Sequence, residues 1–258
     1  MYWERRREHP QVVQIVLNRE NMLNAFNTAM AQEFIEVCRE INTLKDVRVV
    51  GVCSSNANAF CTGADLKERS SLDDDQWLRQ HQIFENMFHS LSDLSMPTIA
   101  VVDGYALAGG LELALNCDFL IMSNRAIVGL PGVSRGIMPG VGGTRLLAKR
   151  IGVNKAKEII LTGRKFTANE VNAMGLCNRL VVPDDLDREF LTLAETISCN
   201  APLAVQLCKT AIDELFHLAD KESRLREIQF YNQCVATEDR YEGIRAFNEK
   251  REPKFIGG

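Results

Sequence analysis

The sequence predicts an α/β fold in which short buried strands alternate with helices. Two nearly unbroken apolar runs, Val47–Cys53 and Cys117–Met122, are typical of strands buried on both faces of a parallel sheet. The stretch 28–44 instead places its apolar residues at helical spacing. From about Leu186 onward the pattern is helical almost to the end. We therefore expect a mixed core followed by a helical C-terminal region.

The other elements follow from the same patterns. Further strands are predicted at Val12–Leu17, Ile99–Val102, Ala126–Leu130 and Arg179–Val182. Further helices are predicted from Gly109, from the glycine-rich turn 139–144 through Arg150, and over Lys155–Leu161. Thr167 and Glu170 have the spacing of a capping box. Residues 54–62 are predicted to be a loop, and the polar segment 66–93 a mobile surface helix.

Length and charge limit the possible partners. With 258 residues the chain suits one large domain, or a core with a small appendage. Its net charge of −4 argues against a nucleic acid or an anionic membrane as the main partner. No apolar run reaches the roughly 20 residues of a membrane span. The N-terminal stretch MYWERRREHP has no apolar core of a secretory signal. We expect a cytoplasmic protein, or a mitochondrial matrix protein if the chain is a processed eukaryotic one.

Cysteine and histidine patterns give no sign of a metal site. The eight cysteines form no C-x-x-C pair, and most lie in apolar patterns, as buried free thiols do. We expect a reducing compartment without disulfides or zinc. The four histidines show no ligand spacing: His9, His81, His89 and His217. His81 and His89 fall on a polar helical stretch, so we expect both on a solvated face.

The stretch Thr98–Asp118 joins an apolar strand to a helix through paired glycines. Such a helix start offers free N–H groups and a positive dipole end, which suit an anion or a developing oxyanion. A similar unit of strand, loop and helix start occurs earlier, where the strand ending near Cys53 leads through a loop to Gly63-Ala64-Asp65. Two adjacent units of this kind are able to aim two N–H groups at one point.

Glu112 lies in the first turn of that helix between apolar residues. The helix start favours the ionised carboxylate and burial disfavours it, so the sequence leaves the direction of its pKa shift open. Two interpretations stand at this point: a catalytic group, or a glutamate that only satisfies its own helix start. The glycine-rich turn 139–144 lacks the Lys-Ser/Thr end of a phosphate loop, and Ala108-Gly109-Gly110 lacks the dinucleotide spacing. We favour a plain, closely packed helix start for the turn.

Several of these stretches together resemble the crotonase, or enoyl-CoA hydratase/isomerase, superfamily. The matching stretches cover essentially the whole chain: 17–26, 59–67, 98–118, 138–144, 161–163, 173–176 and 246–251. The resemblance implies a spiral of repeated ββα turns over residues 1–197 and a helical domain over 198–258 that builds trimers, often paired into hexamers. It also implies an acyl-CoA thioester as substrate and no separate cofactor, because CoA is part of that substrate.

The resemblance assigns roles to particular residues. The N–H groups of Ala64 and Gly109 would form the oxyanion hole for the thioester carbonyl, and Glu112 would be the catalytic base. Phe247 and Lys250 would close on CoA from a neighbouring subunit. The remaining substrate or CoA contacts would be Arg19, Asn24, Ala25, Ala59, Gly63, Asp65, Leu66, Lys67 and Gly110.

Two positions depart from the superfamily pattern. Typical hydratases have a second glutamate seven residues before the proline of the Pro-Gly-x-Gly-Gly-Thr turn, and here that position is Gly132. Glycine has no side chain with which to move a proton, so hydration would depend on Glu112 or on a replacement. Asn21-Met22 also stands where Lys-Ala is common, which removes one possible phosphate contact.

Hydration of a 2-enoyl-CoA, in fatty-acid or branched-chain acyl-CoA breakdown, is the default reaction that the resemblance implies. A reaction that needs one carboxylate, either decarboxylation of a malonyl-type CoA or a double-bond shift, is the alternative. A remote alternative is RNA binding, since some relatives bind RNA through lysines on the first helix. Here that helix has Arg39 opposed by several glutamates. The acyl pocket should be lined partly by residues 66–93, although core packing is the favoured interpretation for Trp77, Phe84, Met87 and Phe88.

Overall fold

The structure is a computed structural model that describes residues 1–215, 218 and 220–257. Its strands are β1 (Tyr2–Arg6), β2 (His9–Leu17), β3 (Val49–Ser54), β4 (Ala59–Cys61), β5 (Thr98–Val102), β6 (Tyr105–Leu107), β7 (Phe119–Ser123), β8 (Ile127–Gly129), β9 (Phe166–Thr167) and β10 (Arg179–Val181). Its α-helices are α1 (Thr28–Asn42), α2 (Leu66–Arg69), α3 (Asp74–Ser92), α4 (Gly109–Leu115), α5 (Gly143–Ile151), α6 (Val153–Thr162), α7 (Ala168–Ala173), α8 (Leu186–Ser198), α9 (Pro202–Leu215), α10 (Asp220–Val235) and α11 (Glu238–Glu249).

The strands form two sheets that the chain visits in turn. The larger sheet has the order β1-β2-β3-β5-β7-β10, and the smaller has the order β4-β6-β8-β9. Each of the pairs β3/β4, β5/β6 and β7/β8 gives one strand to each sheet, and a helix follows the second strand of the pair. The neighbours within β3-β5-β7 and within β4-β6-β8 are parallel. This is the predicted spiral of ββα turns, and the fold prediction is confirmed.

The central strands of the larger sheet, β3, β5 and β7, are buried on both faces, as their apolar runs predict, whereas its edge strands β1 and β10 are partly exposed. Because side chains alternate along a strand, Val12, Val49, Ile99 and Ile121 share one face, where Phe190 of α8 covers them. Their neighbours along the strands face the main core between the sheets and the helices. Burying one such side chain contributes roughly 1.5–3 kcal/mol, so the spiral is held mainly by these layers.

Two parts of the chain differ from the sequence prediction. The predicted loop 54–62 contains the short strand β4, which is buried throughout. The segment 66–93 is helical as predicted, but the expectation of a surface element was wrong for one face of α3. Phe84, Met87, Phe88 and Leu91 are buried there at helical spacing. Core packing was the favoured interpretation for Phe84, Met87 and Phe88 in the sequence, and it is confirmed.

Three helices, α9 to α11, follow the layered core. Several large apolar side chains on them are exposed, among them Ile212, Leu225, Ile228 and Tyr231. Such surface suits the predicted oligomer. The boundary at residue 198 and the trimeric or hexameric state stay predictions. Within the described ranges, no helix combines the length and apolarity that crossing a membrane requires.

Three cysteines are buried, as their apolar surroundings in the sequence predict, whereas Cys199 and Cys208 are exposed. All eight are free thiols, and burial raises the pKa of Cys38, Cys61 and Cys117 to about 12. No group of acidic, cysteine and histidine side chains in the described residues is arranged to hold a metal ion. His217 lies outside the described residues. The capping box of Thr167 and Glu170 is present at the start of α7.

The start of α4 yields a test of the close packing. A Cβ on Gly110 would lie 2.0 Å from the carbonyl oxygen of Cys61, which belongs to the backbone of β4. We expect Gly110→Ala to destabilise the protein by about 3 kcal/mol, the upper end for overpacking. At roughly 2–4 °C per kcal/mol for a chain of this size, thermal denaturation should show a fall in Tm of several degrees.

The matched control is Gly243→Ala in the middle of α11. The nearest heavy atom to a Cβ there is a Phe255 ring carbon at 3.6 Å, an ordinary contact. Alanine in a helix interior is favoured over glycine by about 0.5–1 kcal/mol, so this variant should keep or slightly raise Tm. Equal Tm values for the two variants would show that the approach at Gly110 is not tight.

Candidate active site

A cavity of about 470 Å³ lies where the two predicted helix starts meet. It is bounded by α2 and α3 on one side, by the start of α4, and by the segment 130–141. This volume is within the range of small-ligand sites. Ala64, Gly109 and Glu112 all line it, so the structure brings together the three residues to which the resemblance assigns catalysis.

The backbone around Ala64 is held from both sides. The N–H of Phe26 donates to the carbonyl oxygen of Gly63 at 2.8 Å, and the N–H of Asp65 donates to that of Phe26 at 2.9 Å. Gly63 has a φ of +91°, a conformation that favours glycine. A Cβ on Gly63 would lie only 2.9 Å from the nitrogen of Gly109. The loop before α2 and the start of α4 are therefore in direct backbone contact.

The amide of Gly109 is presented by an unusual turn. Ala108, the residue before α4, has φ 49° and ψ −126°, a region that non-glycine residues rarely adopt. Gly109 is the first residue of the helix, so its N–H has no acceptor within the helix. A Cβ on Gly109 would lie 2.6 Å from the ring of Phe26. Close packing thus excludes a side chain at Gly109, which lines the cavity.

Glu112 is 4% exposed, and its carboxylate is held in one orientation. Oε1 accepts hydrogen bonds from the N–H groups of Val141 at 3.0 Å and Gly143 at 2.8 Å. Both donors belong to the glycine-rich turn before α5. A Cβ on Gly143 would lie 2.8 Å from Oε1, which explains the glycine there. The interpretation of this turn as a plain helix start was therefore wrong, because it also positions Glu112.

Burial raises the pKa of Glu112 above its ordinary value. The hydrogen bonds from Gly143 and Val141 favour the charged form and oppose this effect without cancelling it. Desolvation thus sets the direction of the pKa shift of Glu112, which the sequence left open. A carboxylate with a raised pKa is a better proton acceptor once it is ionised.

Gly132 lies in a 3-10 helix, Pro131–Arg135, and lines the same cavity. The carbonyl oxygen of Ile137 would be 2.7 Å from a Cβ at this position. The same two residues are joined by a hydrogen bond from the Ile137 N–H to the Gly132 carbonyl at 3.1 Å. The backbone of this segment therefore leaves no space for a side chain at position 132. Among the described residues that line the cavity, Glu112 is the one carboxylate.

His81 and two aromatic residues of α3 also line the cavity. The expectation of a solvated His81 was wrong: it is half-buried, with Nε2 3.2 Å from Oε1 of Glu85. His89 is exposed, as expected. Trp77 and Phe84 border the cavity, whereas Met87 and Phe88 pack in the core. The position of His81, three residues before Phe84 on the apolar stripe, is the signal that was available in the sequence.

Arg69, at the end of α2, is a cavity residue that the sequence analysis missed. It is 9% exposed, and its Nε donates to Oε1 of Gln80 at 3.0 Å. The Trp77 ring lies over its guanidinium, with 3.9 Å between Cζ and the ring centre. Burial lowers the pKa of Arg69. In the sequence it belongs to the charged run Lys67-Glu68-Arg69, which gave no sign that one of the three is buried.

Some residues assigned to CoA instead brace the loop that carries Ala64. Arg19 donates from Nη1 to Oδ2 of Asp65 and to the carbonyl oxygen of Ala25, each at 2.7 Å. Asn24 is fully buried and donates to Oγ of Ser54 at 2.7 Å. The Arg19 contact ties the turn after β2 to the start of α2, and the Asn24 contact ties it to the end of β3. A direct contact with CoA stays a prediction for all of them, as it does for the buried Ala59 of β4.

The other predicted CoA residues are more accessible. Leu66 is 56% exposed and borders the cavity, and Lys67 beside it is exposed. Phe247 and Lys250 lie at the end of α11 and do not line the cavity of their own chain. Phe247 is 83% exposed, which is compatible with the predicted contact in a neighbouring subunit.

Known proteins resemble this chain in both sequence and fold. The family model described as enoyl-CoA hydratase/isomerase matches residues 7–258. A Bacillus subtilis protein, the putative enoyl-CoA hydratase/isomerase YngF, is 40% identical over 243 residues, which are 94% of each chain. The mouse protein named enoyl-CoA hydratase domain-containing protein 2, mitochondrial, is 38% identical over 95% of this chain and 84% of its own length.

Solved structures of this family have the same fold as this chain. A crystal structure of an enoyl-CoA hydratase from Bacillus anthracis has a TM-score of 0.96 and 37% sequence identity, covering 99% of both chains. With the family model, the relatives and the two-sheet spiral in agreement, this chain belongs to the enoyl-CoA hydratase/isomerase family.

Proposed function

We propose that the protein adds water to a 2-enoyl-CoA thioester through an enolate intermediate. The observation that carries this proposal is the meeting of the Ala64 loop, the Gly109 amide and the Glu112 carboxylate in one cavity. Backbone amides at such a junction suit an oxygen that gains negative charge, and a nearby carboxylate suits proton transfer. No cofactor beyond the CoA of the substrate takes part in these steps.

The thioester carbonyl accepts hydrogen bonds from the N–H groups of Ala64 and Gly109. As a nucleophile adds to the β-carbon, the electron pair of the double bond moves to the carbonyl oxygen and produces an enolate. The two amides are already fixed by the backbone contact between Gly63 and Gly109, so they need no reorganisation. In comparable sites one such donor is worth about 2.7–4 kcal/mol of transition-state stabilisation.

Glu112 carries out both proton transfers of the reaction. Its carboxylate takes a proton from water as the hydroxide oxygen bonds to the β-carbon, and it then returns that proton to the α-carbon of the enolate. The sum of the two steps is the addition of one water, and Glu112 ends as a carboxylate again. Because the cavity holds no second carboxylate among its described lining residues, a single group performs both transfers in this scheme.

Gly132 favours a second candidate, a reaction that needs one carboxylate or none. A double-bond shift moves one proton between two carbons, and decarboxylation of a malonyl-type thioester needs only the enolate site and a proton. Binding of RNA is not supported, because Arg39 on α1 is paired with Glu36 at 2.6 Å rather than free for phosphate. Contact of CoA with a neighbouring subunit and a cytoplasmic or mitochondrial location remain part of the proposal.

A panel of three thioesters separates the candidates. We expect crotonyl-CoA to give 3-hydroxybutyryl-CoA, and to do so faster than 3-hexenoyl-CoA is isomerised or methylmalonyl-CoA is decarboxylated. Products should be identified by liquid chromatography and mass spectrometry at near-neutral pH. Faster isomerisation or decarboxylation than hydration would replace the first candidate by the second.

Glu112→Gln should lower the hydration kcat by about 10²–10⁴-fold, the usual contribution of a positioned acid–base group. Affinity for butyryl-CoA, which cannot react, should change little because glutamine keeps the shape of the side chain. Glu158→Gln on the exposed side of α6 is the matched control and should keep wild-type kinetics. An E112Q enzyme with unchanged kcat would remove Glu112 from the mechanism.

The raised pKa of Glu112 predicts the acid limb of the pH profile. The base must be ionised, so kcat/KM should fall as pH is lowered through a midpoint above 4.5, the ordinary value for glutamate. Because His81 lines the same cavity, His81→Gln is the control and should retain this limb. Loss of the limb in H81Q would assign it to the histidine instead.

A further inference from the structure

The guanidinium of Arg69 is buried in the cavity but only partly used. Within the described residues its one hydrogen bond is from Nε to Gln80. Its Nη2 is shielded from solvent and has no hydrogen-bond partner. An arginine cannot lose its charge to escape this situation, and a buried unpaired cation is strongly unfavourable. A missing partner of negative charge would resolve it.

The surrounding side chains hold Arg69 in place without neutralising it. Gln80 donates from Nε2 to Oε2 of Glu68 at 2.7 Å and to Oγ1 of Thr28 at 2.8 Å, which directs its amide oxygen toward Arg69. Glu68 also accepts from the N–H of Thr28 at 3.0 Å. Among the described residues, Glu68 forms no ion pair with Arg69: it bonds to Gln80, which accepts from Arg69, and its charge acts on Arg69 from a distance.

Aromatic rings leave one N–H group of the guanidinium available. The ring centres of Trp77 and Phe84 lie 3.9 Å and 5.1 Å from its Cζ, and stacking of this kind covers faces rather than edges. Nε donates to Gln80 and Nη2 is shielded from solvent, so Nη1 is the N–H group left accessible to a ligand in the cavity. A carboxylate oxygen would accept a charge-assisted hydrogen bond from it.

The charges lining the cavity also favour an anion. Arg69 and Arg135 are the lining arginines, whereas the described lining residues contribute one carboxylate, Glu112. Arg135 is exposed and bonds to the carbonyl oxygen of Pro131, so solvent screens it. Arg69 is the buried member of the pair and has the stronger requirement for a counter-charge.

We propose that Arg69 binds a second carboxylate at the far end of the acyl group, so that the preferred substrates are CoA thioesters of short dicarboxylic acids. The acyl chain of the substrate must be short because α2 begins just after the Ala64 loop and has only four residues. Four helical residues span about 6 Å at 1.5 Å per residue, so the backbone of Arg69 lies within one short helix of the Ala64 loop. This inference rests on the proposed acyl-CoA function of the same site.

Binding of two unreactive thioesters tests it. Glutaryl-CoA carries the terminal carboxylate, and 5-methylhexanoyl-CoA replaces that carboxylate by an isopropyl group of the same shape. By isothermal titration calorimetry, the wild-type protein should bind glutaryl-CoA at least ten-fold more tightly. Arg69→Met should remove this preference while leaving the affinity for 5-methylhexanoyl-CoA within about two-fold. Arg69→Lys should retain part of the preference because it keeps the charge.

Arg135→Met is the matched control, since it removes the other lining arginine, and it should keep the preference. Equal binding of the two thioesters by the wild-type protein would overturn the inference, whatever the stability of the variants. So would an equal loss of both affinities in R69M, which would indicate a structural role, or loss of the preference in R135M alone. If neither thioester binds the wild-type protein, the proposed function fails together with the inference, and this outcome is distinct from equal binding.

Discussion

The site depends on one backbone approach, between the loop at Gly63 and the start of α4 at Gly109 and Gly110. A methyl group at any of these three positions would collide with the opposing loop, with Phe26 or with the backbone of Cys61. The two parallel strands β4 and β6 bring the loop and the helix start to the same end of the smaller sheet. The repeat of the spiral thus brings two ordinary strand-to-helix junctions, the one at Gly63 and the one at Gly109, into contact. Precision comes from main chain packed on main chain, which has few conformations to choose from.

A second layer fixes the carboxylate in the same way. Glu112 is positioned by amides of the next turn of the spiral, Val141 and Gly143, rather than by another side chain. Backbone donors do not titrate and cannot rotate away. They lower the cost of burying the charge while burial still keeps the pKa raised. Proton transfer by a single group requires a base that is shielded from bulk water and held in one position. The same carboxylate must face the reacting water first and the enolate afterwards.

The sequence predicted the layers well and the inward-facing polar residues poorly. Apolar runs such as Val47–Cys53 and glycine pairs such as Gly109-Gly110 act locally, so their elements and the Glu112 site were accessible to pattern analysis. Trp77, His81 and Arg69 depend instead on how α2 and α3 fold back over the cavity, which is a long-range arrangement. The role of the 139–144 turn was missed for the same reason, since its partner Glu112 is about thirty residues away in the chain.

The glycine at position 132 and the buried guanidinium of Arg69 are related through charge. Two like charges in one cavity repel, by about 4 kcal/mol at 4 Å for an effective dielectric constant of 20 and by less at longer range. A second lining carboxylate at Gly132 would therefore oppose both the ionised Glu112 and any anionic acyl group. With glycine there, the cavity keeps one carboxylate against two arginines, one of which is buried. The absence of the second glutamate then removes a repulsion as well as a proton donor. In the proposed function, the glycine at position 132 limits the acid–base chemistry and also leaves the cavity without a second negative charge, as the proposed dicarboxylic substrate requires.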